Sequence, residues 1–404
     1  MKNNRPYIHT TMKDFTFQNP VKIHFGHDKL SLLGDELKKF GKRVLLTYGG
    51  GSIKKIGLYD RVQQAVKDAG MELYELSGIE PNPRIDSVRK GAEMCKEHNI
   101  DVLLAVGGGS TIDCTKWIAA AACVEHDAWD FFDYDKWSPV ERALPIVSIL
   151  TLSATGSEMD SGGVISNPET DDKRGRQSKL LFPKVSFLDP TLTYSVSSFQ
   201  TAAGSADIFS HLMEVYFAPG ETMYMLDTFI EGMMRTVIRY APIAIREPEN
   251  YEARANLMWT SSWAINGLVG ADKPQAWSCH PMEHELSAVY DITHGLGLAI
   301  LSPRWLEYCM NEDTMPKIAQ FGINVFGIEP TMPQHEIALR AIDALGHFLF
   351  DTLGLKRTLP ECGIDESHFE SMAAKAVLPY EGKLPGFRTL TKDDVVNIYR
   401  MCMK

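Results

Sequence analysis

A chain of 404 residues that is 44% hydrophobic and 23% charged is long enough for two ordinary globular domains, each with its own core. Its formal charge of −11 excludes a general nucleic-acid surface, which needs clustered Lys and Arg; the basic stretches KRVLL and DDKRGRQSK are short and read as solvated loops or at most a phosphate contact. Seven cysteines, at 95, 114, 123, 279, 309, 362 and 402, form no CxxC pair and fit reduced thiols rather than a disulfide framework, with Cys279 beside His280 the one to follow. No apolar leader and no run of about 18 apolar residues is present, so neither a membrane span nor a membrane partner is expected, and the expected location is cytoplasmic.

In chain order, the first half alternates short apolar runs with helical patterns. RVLLTYGGGS predicts a strand and a Gly-rich turn, DRVQQAVKDAG a helix, MELYEL a strand, SVRKGAEMCKEHN a helix, and DVLLAVGGGS a third strand with its turn. ALPIVSILTL and KVSFLDP follow as further strands. Such alternation predicts a parallel, Rossmann-like α/β sheet, with its Gly-rich turns on the side where these sheets bind ligands. From about residue 193 helical periodicity takes over, as in FQTAAGSADIFSHLMEVYF, MLDTFIEGMMRTVIRYAPIAI, YEARANLMWTSSWAINGL and PQHEIALRAIDALGHFLFDTLG. The expectation is an α/β dinucleotide-binding domain over 1–192 and an all-helical metal and substrate domain over 193–404. Its Met and Trp stripes read as core.

The helical half carries four candidate metal ligands. Asp207 and His211 stand i, i+4 in SADIFSH, and His280 and His284 repeat that spacing in CHPMEHELSAVYDITH, which ends on His294. One carboxylate and three neutral imidazoles from Asp207, His211, His280 and His294 suit iron or zinc. On one straight helix His280 and His294 would lie about 21 Å apart, so sharing an ion requires the chain to turn, and DITHG has residues for a turn. A lone helical histidine more often belongs to core or surface. Three within fifteen residues, in a chain with 12, are harder to assign that way.

Two Gly-rich turns offer cofactor sites. In AVGGGSTIDCTK, Gly107, Gly108 and Gly109 let backbone approach an anion, Ser110 adds a hydroxyl and the helix start adds N–H groups, which suits a pyrophosphate; a tight strand–helix turn is the rival reading. In TYGGGSIKK, Gly49, Gly50 and Ser52 stand where an NAD-preferring enzyme often places an acid, with Lys54 and Lys55 beyond, which favours NADP. TLSATGSEMD supplies Thr151, Thr155 and Ser157 for a further side of the cofactor.

These segments, with FQNPVKIHFG, PNPRIDSVRKG, FLDP and GLGLAI, carry a resemblance to the iron-containing (group III) alcohol dehydrogenases, closest to their NADPH-dependent butanol dehydrogenase and aldehyde reductase branch. It covers nearly everything from Phe15 onward; residues up to Met12 read as an extension without a family counterpart. The resemblance implies that Asp207, His211, His280 and His294 hold one divalent metal, iron(II) before zinc, and that His284 lies near the nicotinamide as a catalytic residue. It implies that Gly108, Gly109, Ser110, Asp113, Thr151, Thr155 and Ser157 contact the cofactor, that Gly49, Gly50 and Ser52 meet a 2′-phosphate, and that Lys173, with Lys179 as the alternative, touches the nicotinamide ribose. Two departures are SVSS (Ser195–Ser198), where the family usually has a proline, and Asp160, where the branch carries a neutral amide on the substrate side.

The expected activity is reversible, metal-dependent hydride transfer between NADPH and a short-to-medium-chain aldehyde, by a homodimer. His284 would relay the proton, on the ground that an ordinary histidine titrates near pH 6.5. An NAD-dependent polyol dehydrogenase of the same fold is the alternative. A metal phosphohydrolase would leave the glycine turns unexplained, and a cofactor-binding protein with a dead site would leave the ligand set unexplained.

Overall fold

The computed structural model describes residues 14–136, 138–219, 224–271, 273–274 and 276–404. The expected extension up to Met12 lies outside the described residues. The strands in chain order are β1 (Lys22–Phe25), β2 (Arg43–Tyr48), β3 (Glu72–Leu76), β4 (Val102–Gly107), β5 (Ile146–Leu150), β6 (Gly162–Asn167), β7 (Asp172–Gln177), β8 (Val185–Leu188), β9 (Lys383–Leu384) and β10 (Leu390–Thr391). Six form one sheet in the order β1-β8-β5-β4-β2-β3, with every pairing parallel.

The helices of this half are α1 (Leu33–Leu37), α2 (Ser52–Lys55), α3 (Leu58–Asp68), α4 (Ile85–Glu97) and α5 (Gly109–Ala121). Alternate strand residues face opposite layers. Val44, Leu46, Val102 and Leu104 pack with Leu33, Val62 and Val66, while Leu45 and Leu103 pack with Ile85, Val88 and Ile118. That two-sided burial explains why the strands read as continuous apolar runs. The strand order reverses between β2 and β4, so the turns at 49–51 and 107–109 flank the switch point where open α/β sheets take ligands.

DDKRGRQSK departs from the expected solvated loop. Its core is β7, which pairs antiparallel with β6, placing Lys173 opposite Ser166 and Gly175 opposite Val164. The charges masked a strand because one face of it turns into a polar cleft: Lys173 is buried there, while Arg174 lies over Tyr134 with 4.4 Å to the ring centre.

The second half comprises α6 (Ser198–Tyr216), α7 (Tyr224–Arg246), α8 (Tyr251–Ile265), α9 (Cys279–Tyr290), α10 (His294–Cys309), α11 (Met315–Phe326), α12 (Gln334–Gly346), α13 (Phe369–Val377) and α14 (Lys392–Met401). The small β9–β10 ladder is the one departure from an all-helical half among the described residues. SVSS has a local use: Ser197 caps α6 by accepting from Gln200 N at 3.2 Å. From Thr201 to Tyr216 nearly every residue of α6 is buried, its polar Asp207, His211 and Glu214 included, and the helix packs against α7 and α10. The halves meet where Met258 of α8 joins Ala105, Ile112, Leu150 and Leu188 at the ends of the central strands. Among the described residues no helix is long and apolar enough to cross a membrane.

Candidate metal and cofactor cleft

Asp207 and His211 sit one turn apart on α6, His280 on α9, and His294 at the first residue of α10. The required turn is present: α9 ends at Tyr290, Asp291 takes a left-handed conformation with φ 50°, and α10 starts three residues later. The imidazole Nε2 atoms of His211, His294 and His280 lie 3.6, 3.7 and 3.9 Å from one oxygen, Asp207 Oδ1. These separations are too long for hydrogen bonds. Atoms bound to a shared ion at about 2.0–2.2 Å must stand within about 4.4 Å of each other, and each of these distances to Oδ1 meets that limit. Asp207 Oδ1 and His280 Nε2 are buried without a hydrogen-bond partner, as a ligand pair awaiting a cation would be. The donor set therefore fits a divalent transition metal. Asp207, His280 and His294 form the tightest group, and His211 joins it through Asp207.

Two carboxylates that the sequence reading did not single out set these rings. His280 Nδ1 donates to Glu214, which also accepts the backbone N–H groups of Ser278, Cys279 and His280 and so caps the start of α9. His294 Nδ1 donates to Glu283, whose other oxygen accepts from Ser287. Carboxylates behind ligating histidines fix the tautomer and aim Nε2 forward. Their signal was spacing: Glu214 is three residues past His211 on the same helix, and Glu283 three past His280. Burial opposes charge on His280, but Glu214 and Asp207 outweigh it and push the ring up to about 9. Burial, against the pull of Asp207, drives His211 down to about 3. For Asp207 the three histidines outweigh burial and hold the carboxyl far below its ordinary range.

His284 lines the cleft, with Gly175 of β7 packed against its ring edge. The expectation that it titrates near neutrality does not hold. Burial, then the charge of Lys173, keep its imidazole well below the ordinary value, so it is neutral at working pH. Lys173 Nζ reaches Asn82 Oδ1 at 2.9 Å and both Glu283 Oε2 and His294 Nδ1 at 3.4 Å, whereas Lys179 is exposed. Cys279 is buried with its thiol pushed well up, and its side is not part of the cleft.

A cavity of about 510 Å³ joins this centre to the sheet, lined among others by Ser110, Asp113, Thr155, Ser157, Lys173 and His284. Gly107, Gly108 and Gly109 close β4 against the 151–155 loop, where Thr151 N donates to Gly107 O at 3.0 Å. A Cβ on Gly109 would lie 2.2 Å from Thr155 Oγ1, so the packing of the turn alone demands glycine there. Asp113 accepts from Ser157 Oγ at 2.5 Å and from Val164 N at 2.9 Å, which turns both residues inward as braces of the cleft wall. Gly49, Gly50 and Ser52 lie apart, beyond β2, where a side chain at Gly50 or Gly51 would meet nothing within 4 Å. Asp160 accepts from the fully buried Lys116 and from Gly162 N, so the departure from a neutral amide is matched by a buried cation.

Family models agree with this architecture. "Iron-containing alcohol dehydrogenase" matches residues 20–190, and "Fe-containing alcohol dehydrogenase family, C-terminal" matches residues 201–403. The chain belongs to the iron-containing alcohol dehydrogenase family. It is 50% identical over 389 residues to the NADH-dependent butanol dehydrogenase A of Clostridium acetobutylicum, covering 96% of this chain and 99% of that one. It is 38% identical to the NADPH-dependent aldehyde reductase YqhD of Escherichia coli, covering 90% of this chain and 93% of that one. A crystal structure described as NADH-dependent butanol dehydrogenase A from Thermotoga maritima superposes with a TM-score of 0.92 at 38% identity, covering 98% of this chain and all of that one.

Proposed function

We propose that this chain is a metal-dependent, NADPH-linked alcohol dehydrogenase and aldehyde reductase acting on short-to-medium-chain substrates, as a homodimer. The observation that carries the reading is the convergence of three imidazole Nε2 atoms on Asp207 Oδ1, at the wall of a cavity that reaches the Gly-rich end of the sheet. Asp207, His211, His280 and His294 would hold one divalent ion. Bound there, the ion supplies Lewis acidity toward a carbonyl oxygen. Glu214 and Glu283 accept from Nδ1 of His280 and His294 and so would aim Nε2 of each ring at the ion. Ser110, Thr155 and the 107–109 backbone would bind the pyrophosphate, and Lys173, held by Asn82, would orient the ribose. His284, kept neutral at the cleft wall, would pass a proton from one ring nitrogen to the other rather than carry stored charge.

The preference for NADPH rests on the open turn at 49–51, which itself carries no acid and has Lys54 nearby, although Glu75 of β3 accepts from the Tyr48 hydroxyl at 3.1 Å. The relative named as NADH-dependent at 50% identity favours the other cofactor, so the test must compare both. The protein is stripped of metal anaerobically, reloaded with ferrous iron or zinc, and assayed with butyraldehyde and either NADPH or NADH. Turnover restored by one metal, with kcat/KM higher for NADPH, is the expected result. Activity indifferent to metal would sink the ligand assignment, and a clear NADH preference would sink only the reading of the β2 turn.

A further inference from the structure

His294 stands only three residues past Asp291, so the place of its imidazole depends on what holds the α9–α10 turn. Part of that hold comes from the other half of the molecule. Asn82, at the wall of the cavity, donates from Nδ2 to Asp291 Oδ1 at 2.9 Å and to Ile292 O at 3.4 Å. The oxygen of the same amide accepts from Lys173 Nζ at 2.9 Å. Lys173 Nζ lies 3.4 Å from Glu283 Oε2, the oxygen that accepts from His294 Nδ1. One amide therefore reaches His294 by two routes, through the backbone of the turn and through Lys173 and Glu283.

The available hydrogens assign Asn82 to the turn. Ser287 has a single hydroxyl hydrogen and lies within reach of both Glu283 Oε1 and Ile292 O, the latter at 3.1 Å. Given to Glu283, that hydrogen leaves Ile292 O to Asn82. Asn82 is itself firmly held. It lies between Pro81 and Pro83 and takes a left-handed φ of 52°, which asparagine tolerates better than most residues. Pro83 O accepts from Ser166 N at 2.8 Å, and Ser166 of β6 pairs with Lys173 of β7, so the loop and the lysine it bonds form one unit. Arg84 stands 3.9 Å from Asp291 and is drawn to Glu80 at 2.9 Å, which leaves the close contact to Asn82.

We propose that Asn82 is a positioning residue for the metal centre: its amide clamps the α9–α10 turn and, through Lys173, the Glu283 carboxylate, so that His294 Nε2 is aimed at the ion from the sheet side of the cleft. This rests on the assignment of Asp207, His211, His280 and His294 as ligands. Hydrogen bonds to a partly exposed turn add little to global stability. A ligand swung off its line costs metal affinity even where the fold is intact.

The test is the zinc affinity of the metal-stripped protein, read by competition with a chelating dye, beside the Tm of the metal-free form. Asn82→Gly keeps the left-handed backbone at no steric cost. It should bind zinc about tenfold more weakly, the low end of what loss of an outer partner costs, with the metal-free Tm little changed. Asn82→Asp keeps an acceptor for Lys173 but offers Asp291 no hydrogen, and should be as weak. Adding Asp291→Asn to it restores a donor and an acceptor across the turn with their roles exchanged, and should recover most of the affinity. That rescue decides the case if Asn82→Gly also melts earlier, because a general loosening of the fold would not be repaired by it. Wild-type zinc affinity in Asn82→Gly, or a double variant no better than Asn82→Asp, overturns the proposal and leaves the ligand set standing. Wild-type protein that binds no zinc overturns both.

Discussion

At the scale of single residues, the centre depends on what stands behind each ligand. His280 and His294 each have a buried carboxylate on Nδ1, whereas His211 Nδ1 has no partner. Glu214→Gln should therefore weaken metal binding by about 10–100-fold, because the amide no longer fixes the His280 tautomer or neutralises its proton. His284→Ala should do the reverse, slowing turnover while bound metal stays intact. Metal content by elemental analysis beside kcat separates the two; equal metal loss in both variants would make His284 structural. The Asp207–His211 spacing was legible in the sequence because both lie on one helix, whereas His280 and His294 sit on successive helices and are joined only by the turn between them. The supporting carboxylates were not legible, since a Glu three residues from a His is common on any helix and gains meaning only when the facing helix is known.

At the scale of elements, the centre exists because α6 and α10 approach without intervening side chains. A Cβ on Gly295 would stand 1.9 Å from Ala203 O, so that residue must be glycine for α10 to begin where His294 meets Asp207. Gly295→Ala should cost about 1–3 kcal/mol through overpacking and should also lower metal affinity, as α10 is pushed off α6. Thermal melts with and without added metal read both effects, and an unchanged metal-induced rise in Tm would show that the crossing does not set the ligand geometry. The main strands and long helices could be read from period and apolar runs. β7 could not, because its alternate residues face a cleft and a solvated aromatic surface, neither of which leaves an apolar trace.

For the whole molecule, the join between the two halves stores ionisable groups. Glu158, wholly buried, accepts from Ser262 of α8, and burial pushes its carboxyl up from 4.5 to about 7. Below about pH 4.5 both folded and unfolded chains hold that proton, so it contributes nothing. Between about 4.5 and 7 the unfolded chain releases it while the native chain retains it, so stability falls as pH rises, then levels off. Asp113, raised to about 6 by burial despite Lys116, acts in the same direction. Tm of the wild type should therefore fall relative to that of Glu158→Gln, which keeps an acceptor for Ser262, from about pH 5 to about pH 7. Parallel pH profiles for the two proteins would remove Glu158 from the account.

The sequence by itself determined the parallel α/β half, the helical half, the Gly-rich turns at strand ends and the family, because these rest on local periodicity and on residues a few positions apart. It also required a turn between His280 and His294, since a straight helix cannot bring them together. Only the tertiary structure decided that Glu214 and Glu283 aim the ligands, that Asp113 and Ser157 brace each other, that Lys173 rather than Lys179 enters the cleft, and that His284 stays neutral. Each of those depends on burial and on partners tens to hundreds of residues away. Desolvation and hydrogen bonding act through space, and a chain read in order carries no distances between its helices.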